Sequence, residues 1–191
     1  LESQIAAIAD DVAYNNHDIE DALRAGLINL QTLNEVMYFQ EIIQELKDRY
    51  PDIEDNLLTY QMLRMSISKM IKDIIKNSNK NISQLKIKTN NDVFNQSNFL
   101  ISMSDNMKID SIKISKFLYK NVYNHPKLIK KRTNSENTIL KLFEYFEKNF
   151  DKLPIDWLSR NKKQSKHRII CDYISGMTDR YASKLYRSLY E

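Results

Sequence analysis

The sequence contains few of the residues that break helices or form disulfides. Its 191 residues include one cysteine, two glycines and three prolines. The single cysteine, Cys171, excludes an intrachain disulfide and a cysteine-based zinc site, and it favours a reducing, cytoplasmic setting. A β-rich domain of this length needs more glycine in its turns. The scarcity of glycine, together with long periodic apolar segments, therefore predicts an all-α fold.

Long apolar runs are also absent, which excludes a bilayer-spanning segment and predicts no membrane association. The opening residues, Leu1-Glu2-Ser3, contain no basic region of the kind that begins a secretory signal. They also contain no initiator methionine, which fits a portion of a longer protein. With 42% hydrophobic and 28% charged residues, the composition is that of a folded domain.

The net charge of +4 is spread unevenly. The N-terminal third is acidic, whereas lysine and arginine concentrate in Lys113–Lys131 and Arg160–Arg168. A solvated lysine-rich face is the favoured interpretation, and a nucleic-acid surface is the alternative. Phe117, Tyr119 and Tyr123 stand among the lysines and could stack on bases. Their helical spacing is more typical of core residues.

The apolar periodicity predicts a succession of helices. Their expected ranges are Glu2–Arg24, Thr32–Asp48, Ile53–Lys76, Met107–Val122, Asn134–Phe150, Lys166–Ser175 and Thr178–Tyr190. Gly26 stands where a C-terminal cap of the first helix is expected. Residues 77–105 are rich in asparagine, serine and lysine and only weakly periodic, which predicts a surface excursion.

The first predicted helix carries an unusual density of polar groups. Residues 8–21 contain five acids, a histidine and a tyrosine, although their apolar spacing is helical. Such groups cost free energy when buried unless something pairs with them. A metal ion or a phosphorylated ligand would be such a partner, so this stretch predicts a binding site.

Three side chains of this stretch share one helical edge. Asp10, Tyr14 and Asp18 are spaced i, i+4 and i+8, so they span about 12 Å along the axis. Asp10 could bind a divalent cation, Tyr14 could donate to a phosphate, and Asp18 could accept from a sugar hydroxyl. A solvent-exposed acidic stripe is an equally weighted interpretation. His17 does not form a ligand pair with Asp18, because neighbours on a helix point about 100° apart.

The stretch from Ile8 to Gly26 closely resembles a signature of the bacterial dGTP triphosphohydrolases, the dGTPase-like branch of the HD-domain phosphohydrolases. Three later stretches resemble the same family in the same order: Met70–Ile75, Asn121–Pro126 and Arg168–Ala182. The first and last of the four are specific, whereas the middle two are individually weak. The resemblance implies a multi-helix HD-domain-like fold, of which this chain is the C-terminal part.

The resemblance also implies roles for individual residues. Asp10 matches the last ligand of the family's metal site, which takes a divalent cation such as Mg²⁺ or Mn²⁺. Tyr14 matches a phosphate contact, and Asp18 matches the position that holds the deoxyribose 3′-hydroxyl. Arg168 and Arg180 are candidate anion-binding residues of the substrate site. The implied reaction is hydrolysis of dGTP or another dNTP to deoxynucleoside and tripolyphosphate.

One departure from the family is large. The family's upstream histidine and His-Asp pair precede this motif by many residues, whereas only nine residues precede Asp10. We therefore expect residues 1–76 to hold the last ligand helix and core helices, 77–105 the excursion, and 106–191 a C-terminal helical region. We expect little hydrolysis by this chain alone. The alternatives are a helical module for homo-oligomerisation or single-stranded DNA binding without catalysis, and the remnant of a decayed gene.

Overall fold

The computed structural model describes residues 1–160 and 164–190, and within these ranges the chain is all-α without a β-strand. The all-α prediction is thereby confirmed. The α-helices are α1 (Glu2–Arg24), α2 (Leu30–Leu33), α3 (Met37–Arg49), α4 (Asp55–Gln84), α5 (Asn90–Phe94), α6 (Asp105–Leu118), α7 (Pro126–Lys148), α8 (Ile155–Arg160), α9 (Lys166–Ser175) and α10 (Asp179–Tyr190). A π-helical turn, Tyr119–Tyr123, follows α6, and a 3₁₀ turn, Phe150–Lys152, follows α7. Among the described helices, none combines the length and apolarity that a bilayer crossing requires.

The chain forms two compact units, Leu1–His125 and Pro126–Glu191. In the first unit α1, α3 and α4 pack together, and α6 packs against α1. In the second unit α9 and α10 pack on α7, and α8 contacts α9. The three-part division expected from the sequence, into residues 1–76, 77–105 and 106–191, stays a prediction.

Helix α1 ends where its glycine predicts. Gly26 has a φ of +63°, a conformation that residues with a side chain rarely adopt. The Leu27 amide donates to the Ala22 carbonyl at 2.9 Å, and the Gly26 amide donates to Leu23 at 3.1 Å. These two bonds form a Schellman motif that satisfies the last carbonyls of the helix.

A buried polar network joins the three main helices of the first unit. Asn16 on α1 donates from Nδ2 to the Val12 carbonyl at 2.7 Å and accepts from the Ser66 hydroxyl of α4 at 2.7 Å. Tyr38 on α3 donates from its hydroxyl to the Ser66 carbonyl at 2.9 Å. Because all three side chains are buried, this network fixes how α1, α3 and α4 are aligned along one another.

The Tyr38 phenol makes the stability of the first unit sensitive to alkaline pH. Burial raises the pKa of Tyr38 from 10.0 to about 12, since the phenolate would lose its hydration. The folded pKa exceeds the unfolded one, so this stabilisation is complete below pH 10 and is lost as pH rises through about 12. We expect urea titrations to show that the free energy of unfolding falls by about 3 kcal/mol as pH rises from 10.0 to about 12.

The change Tyr38→Phe should remove this fall in the free energy of unfolding at alkaline pH. Tyr60→Phe, on an exposed ring of α4, serves as the control and should retain it. Identical pH dependence in all three proteins would show that burial of Tyr38 contributes nothing to the alkaline transition.

Helix α4 continues to Gln84, eight residues beyond the expected end at Lys76. Its C-terminal residues were interpreted as loop because they are polar, but these side chains bind another part of the chain. Asn77 donates from Nδ2 to two backbone carbonyls of residues 100–103, at 3.0 and 3.1 Å. Asn81 donates to a third carbonyl of that segment at 3.0 Å. The polar face of α4 therefore holds residues 100–103 in place within the first unit.

The second unit is built around an unbroken α7. The sequence predicts a helix over Asn134–Phe150, but the helix begins earlier and runs from Pro126 to Lys148. Proline suits the first helical position, and no helix breaker follows it in α7. The core of the unit consists of Leu142, Phe146, Leu153, Ile169, Ile170, Tyr173, Ile174 and Ala182.

Candidate functional site: a polar edge of α1

The three predicted site residues of the first helix lie on one uninterrupted α-helix. Asp10, Tyr14 and Asp18 follow one another at intervals of a full turn within α1. The apolar side of the helix, including Val12 and Ile19, is buried against the unit. The polar edge is consequently fixed in orientation by packing on the other side of the same helix.

Asp18 and Tyr14 both interact with the same phenol from another element. Tyr123 donates from its hydroxyl to Asp18 Oδ2, and Tyr14 lies close enough to Tyr123 to contribute to the raised pKa of that phenol. The structure thus brings together the two residues predicted to bind nucleotide, with Tyr123 between them.

Burial raises the pKa of Tyr123, and the hydrogen bond to the Asp18 carboxylate raises it further. The phenol is therefore neutral at physiological pH and acts as a hydrogen-bond donor toward Asp18. Its position depends on the π-helical turn after α6, in which the Asn124 amide donates to the Tyr119 carbonyl at 3.2 Å. Such one-turn π-helices occur frequently at functional sites.

Tyr14 also lines an open cavity. This cavity, of about 630 Å³, lies between α1, α6 and residues 99–103. Asp11 and Asn15 line it from α1, and Lys108 lines it from α6. Tyr14 is 61% exposed, so its side chain is accessible to a ligand. This is the cavity next to the polar edge, and it is large enough for a small molecule.

Asp10 is placed differently from the other two residues. It is exposed on the outer surface of α1, and it is not among the residues that line the cavity. In residues 1–160 and 164–190, no group of three histidine, cysteine, aspartate or glutamate side chains is arranged to hold a metal ion. Asp10 can therefore offer one carboxylate to a cation, but the described donor set does not fit a complete divalent site.

The two candidate arginines belong to the second unit. Arg168 forms an ion pair from Nε to Asp172 Oδ1 at 2.9 Å, and this hydrogen bond raises the pKa of the guanidinium. Arg180 is exposed in the first turn of α10. Their roles in binding an anion stay predictions, and Arg168 would share its charge between Asp172 and any ligand.

The aromatic residues of the first basic cluster have distinct environments. Phe117 is buried, as its helical spacing indicated. Tyr123 contacts Asp18, which leaves Tyr119, 64% exposed, as the ring most accessible for stacking. Residues 161–163, part of the second basic cluster, lie outside the described residues.

Sequence reasoning indicated Tyr123 only as a ring that could stack on bases, and it missed the contact of this residue with α1. Tyr123 lies in Asn121–Pro126, one of the stretches that resemble the dGTP triphosphohydrolases, but spacing along the chain does not indicate its contact with α1. The separation between Asp18 and Tyr123 is 105 residues. The signal available in the sequence was the family-like stretch itself, which contains one aromatic residue, Tyr123, between Val122 and Asn124.

The chain is similar to known proteins in two ways, through a family model and through curated relatives. Residues 101–188 match the model of a phosphohydrolase-associated domain. Over its whole length the chain is also similar to curated proteins named deoxyguanosinetriphosphate triphosphohydrolase-like protein. Identity is 35% with the protein of Brucella anthropi, 33% with that of Bartonella henselae and 34% with that of Brucella ovis.

The chain thus carries a helical domain associated with phosphohydrolases. More specifically, its whole length is similar to dGTP triphosphohydrolase-like proteins, and it matches a C-terminal part of them. The resemblance recognised in the sequence is confirmed. The alignments cover 100% of this chain and 48% of each of the three relatives, so the chain spans about half their length.

Proposed function

We propose that this chain supplies the nucleotide-binding part of a dNTP triphosphohydrolase-like protein. Tyr14 binds the phosphates, and Asp18 accepts a hydrogen bond from the deoxyribose 3′-hydroxyl. The observation that carries the proposal is the hydrogen bond from Tyr123 to Asp18, one turn along α1 from Tyr14 at the cavity. A carboxylate held in one position by a phenol can read a single hydroxyl group, and a neighbouring exposed phenol can donate to a phosphate oxygen.

Tyr123 acts in this proposal as a positioning residue. It is half-buried and occupies one oxygen of Asp18, which directs the remaining lone pairs of the carboxylate toward a ligand. A preorganised acceptor binds more tightly because less conformational freedom is lost on binding. The relatives' name supports dGTP as the substrate class, and Arg168 and Arg180 remain proposed anion contacts.

Asp10 is the proposed contribution of this chain to a divalent cation such as Mg²⁺ or Mn²⁺. One exposed carboxylate does not hold such a cation firmly, and the described residues offer no complete site. We therefore propose that the chain alone binds nucleotide without hydrolysing dGTP appreciably. Homo-oligomerisation and binding of single-stranded DNA stay predictions of the alternative, non-catalytic interpretation.

The test compares the binding of dGTP with that of 2′,3′-dideoxy-GTP, which lacks the 3′-hydroxyl. We expect the unaltered chain to prefer dGTP about tenfold, the value of one charge-assisted hydrogen bond. Asp18→Ala should remove this preference, and Tyr123→Phe should reduce it. Tyr14→Phe should weaken the binding of both nucleotides to the same extent. Isothermal titration calorimetry gives the dissociation constant of each nucleotide for all four proteins.

Asp21→Ala is the matched control, because Asp21 is an exposed carboxylate of the same helix, one turn past Asp18 toward the C-terminus. It should bind both nucleotides as the unaltered chain does. Retention of the dGTP preference by Asp18→Ala, with circular dichroism showing an intact fold, would overturn the assignment of Asp18.

A further inference from the structure

Asn124 closes the π-helical turn that carries Tyr123, because it binds one carbonyl of that turn with two donors. The Asn124 backbone amide donates to the Tyr119 carbonyl at 3.2 Å, across the five-residue spacing that defines a π-helix. The Asn124 side chain donates from Nδ2 to the same carbonyl at 2.9 Å. A carbonyl oxygen has two lone pairs, so it can accept both bonds at once.

The alternative geometry for this segment is a continued α-helix. There the Tyr119 carbonyl would accept from the backbone amide of Tyr123, four residues further along the chain. A π turn spans one residue more, so the Tyr123 side chain leaves the helix in a different direction. The second donor of Asn124 stabilises the π turn, the geometry in which Tyr123 binds Asp18.

Pro126 limits what the backbone alone contributes to this turn. A continued α-helix would bond the Val122 carbonyl to the amide of residue 126, and proline has no amide hydrogen. The His125 amide donates to the Val122 carbonyl instead, at 2.9 Å. Because the regular series of backbone bonds stops directly after the turn, a side-chain donor there has a large influence on its geometry.

We propose that Asn124 is a positioning residue of the nucleotide site, and that its side-chain bond to Tyr119 sets the direction from which Tyr123 binds Asp18. Asn124 is exposed, so packing in the core does not account for its side chain. The effect on Tyr123 follows from the contacts of this chain alone. The effect on a nucleotide rests in addition on the proposed function.

The second unit contains a matched control. Asn149, which follows α7, donates to the Tyr145 carbonyl from its backbone amide and from Nδ2, each at 2.9 Å. The two asparagines therefore make the same pair of bonds after a helix, but only Asn124 makes them on the turn that carries Tyr123. Asn149→Ala removes a bond of the same kind and should leave Tyr123 unchanged.

The first experiment follows the Tyr123 phenol by NMR, with tyrosine isotope-labelled at Cζ and the signal identified through Tyr123→Phe. Burial and the hydrogen bond to Asp18 raise the pKa of Tyr123 above its ordinary 10.0, so the phenol of the unaltered chain should stay neutral up to about pH 11. In Asn124→Ala we expect this pKa to fall toward 10.0, with phenolate detected below about pH 11. Asn149→Ala should titrate as the unaltered chain does.

The second experiment is a double-mutant cycle on the preference for dGTP over 2′,3′-dideoxy-GTP, measured by isothermal titration calorimetry. Asn124→Ala should lower this preference about threefold, because Asp18 is held less firmly. In the Tyr123→Phe background the same change should have no further effect, since Asn124 acts through the Tyr123 hydroxyl. Asn124→Leu, which has a similar size but no donor, should reproduce both results.

Two results would overturn the proposal. One is a Tyr123 phenol that titrates as in the unaltered chain in both Asn124→Ala and Asn124→Leu, with circular dichroism showing an intact fold. The other is an equal loss of dGTP preference with and without the Tyr123 hydroxyl, which would mean that Asn124 does not act through it. An unaltered chain without dGTP preference would contradict the proposed function instead, and the NMR titration would still decide the role of Asn124.

Discussion

Alanine in place of Phe146 should destabilise the second unit by about 3–5 kcal/mol, the usual cost of deleting a buried aromatic ring. Phe146 lies on α7 and is almost fully buried. Its ring packs edge-to-face on Tyr173 of α9, with centroids 5.3 Å apart, and on Tyr145 at 5.2 Å. The change would leave a cavity where α7 and α9 meet, and it would remove both aromatic contacts.

The measurement can use the one tryptophan of the chain. Trp157 packs on Tyr173 with ring centroids 5.6 Å apart, so its fluorescence reports on the core that contains Phe146. Urea titration followed by this fluorescence should show a large drop in the free energy of unfolding for Phe146→Ala. Leu140→Ala, at a 60% exposed position of the same helix, should change it by less than about 0.5 kcal/mol. Similar losses in both variants would show that Phe146 is not a core residue.

The sequence allowed much of the helical architecture to be predicted, because periodicity and capping are local properties. Gly26 ends α1 through a Schellman motif, as its position after the last apolar residue indicated. Helix α9 spans Lys166–Ser175, the range expected from its spacing. Where a helix carries an apolar stripe and a recognisable boundary residue, its position and its ends can be predicted from the sequence.

The errors arose where polar side chains bind backbone far away in the sequence. Asn77 and Asn81 resemble loop residues in composition, but they extend α4 because they bind residues 100–103. The start of α7 shows the complementary error, since a helix is predicted only from Asn134 although no proline or glycine interrupts residues 127–148. Tertiary contacts, rather than propensity, decided the first case.

The candidate site was predictable in part. Helical spacing alone placed Asp10, Tyr14 and Asp18 along one edge, and they lie on one continuous helix. The spacing could not show that Tyr123 holds Asp18, because that contact depends on how α6 and its π-helical turn pack against α1. It also could not show that Asp10 is exposed and outside the cavity that Tyr14 lines, since exposure depends on what covers a helix rather than on its period.

Aspartate in place of Asn16 should cost about 3 kcal/mol or more at neutral pH, because it buries a charge without a cationic partner. The amide of Asn16 donates to the Val12 carbonyl and accepts from Ser66. A carboxylate could still accept from Ser66, but it would repel the Val12 carbonyl. Asn15→Asp, at the neighbouring and more exposed position, should be far less destabilising.

The pH dependence of this change separates charge burial from a simple loss of packing. Burial would raise the pKa of the new carboxyl group in the folded state, so the neutral acid would be favoured there. The penalty relative to the unaltered chain should therefore be smallest below pH 4 and should grow as pH rises through the folded pKa. Urea unfolding at pH 4.5 and 7.5, monitored by far-ultraviolet circular dichroism, measures this difference. A penalty that is equal at both pH values would indicate that shape, rather than the hydrogen-bonded polarity of the amide, is what the first unit requires at position 16.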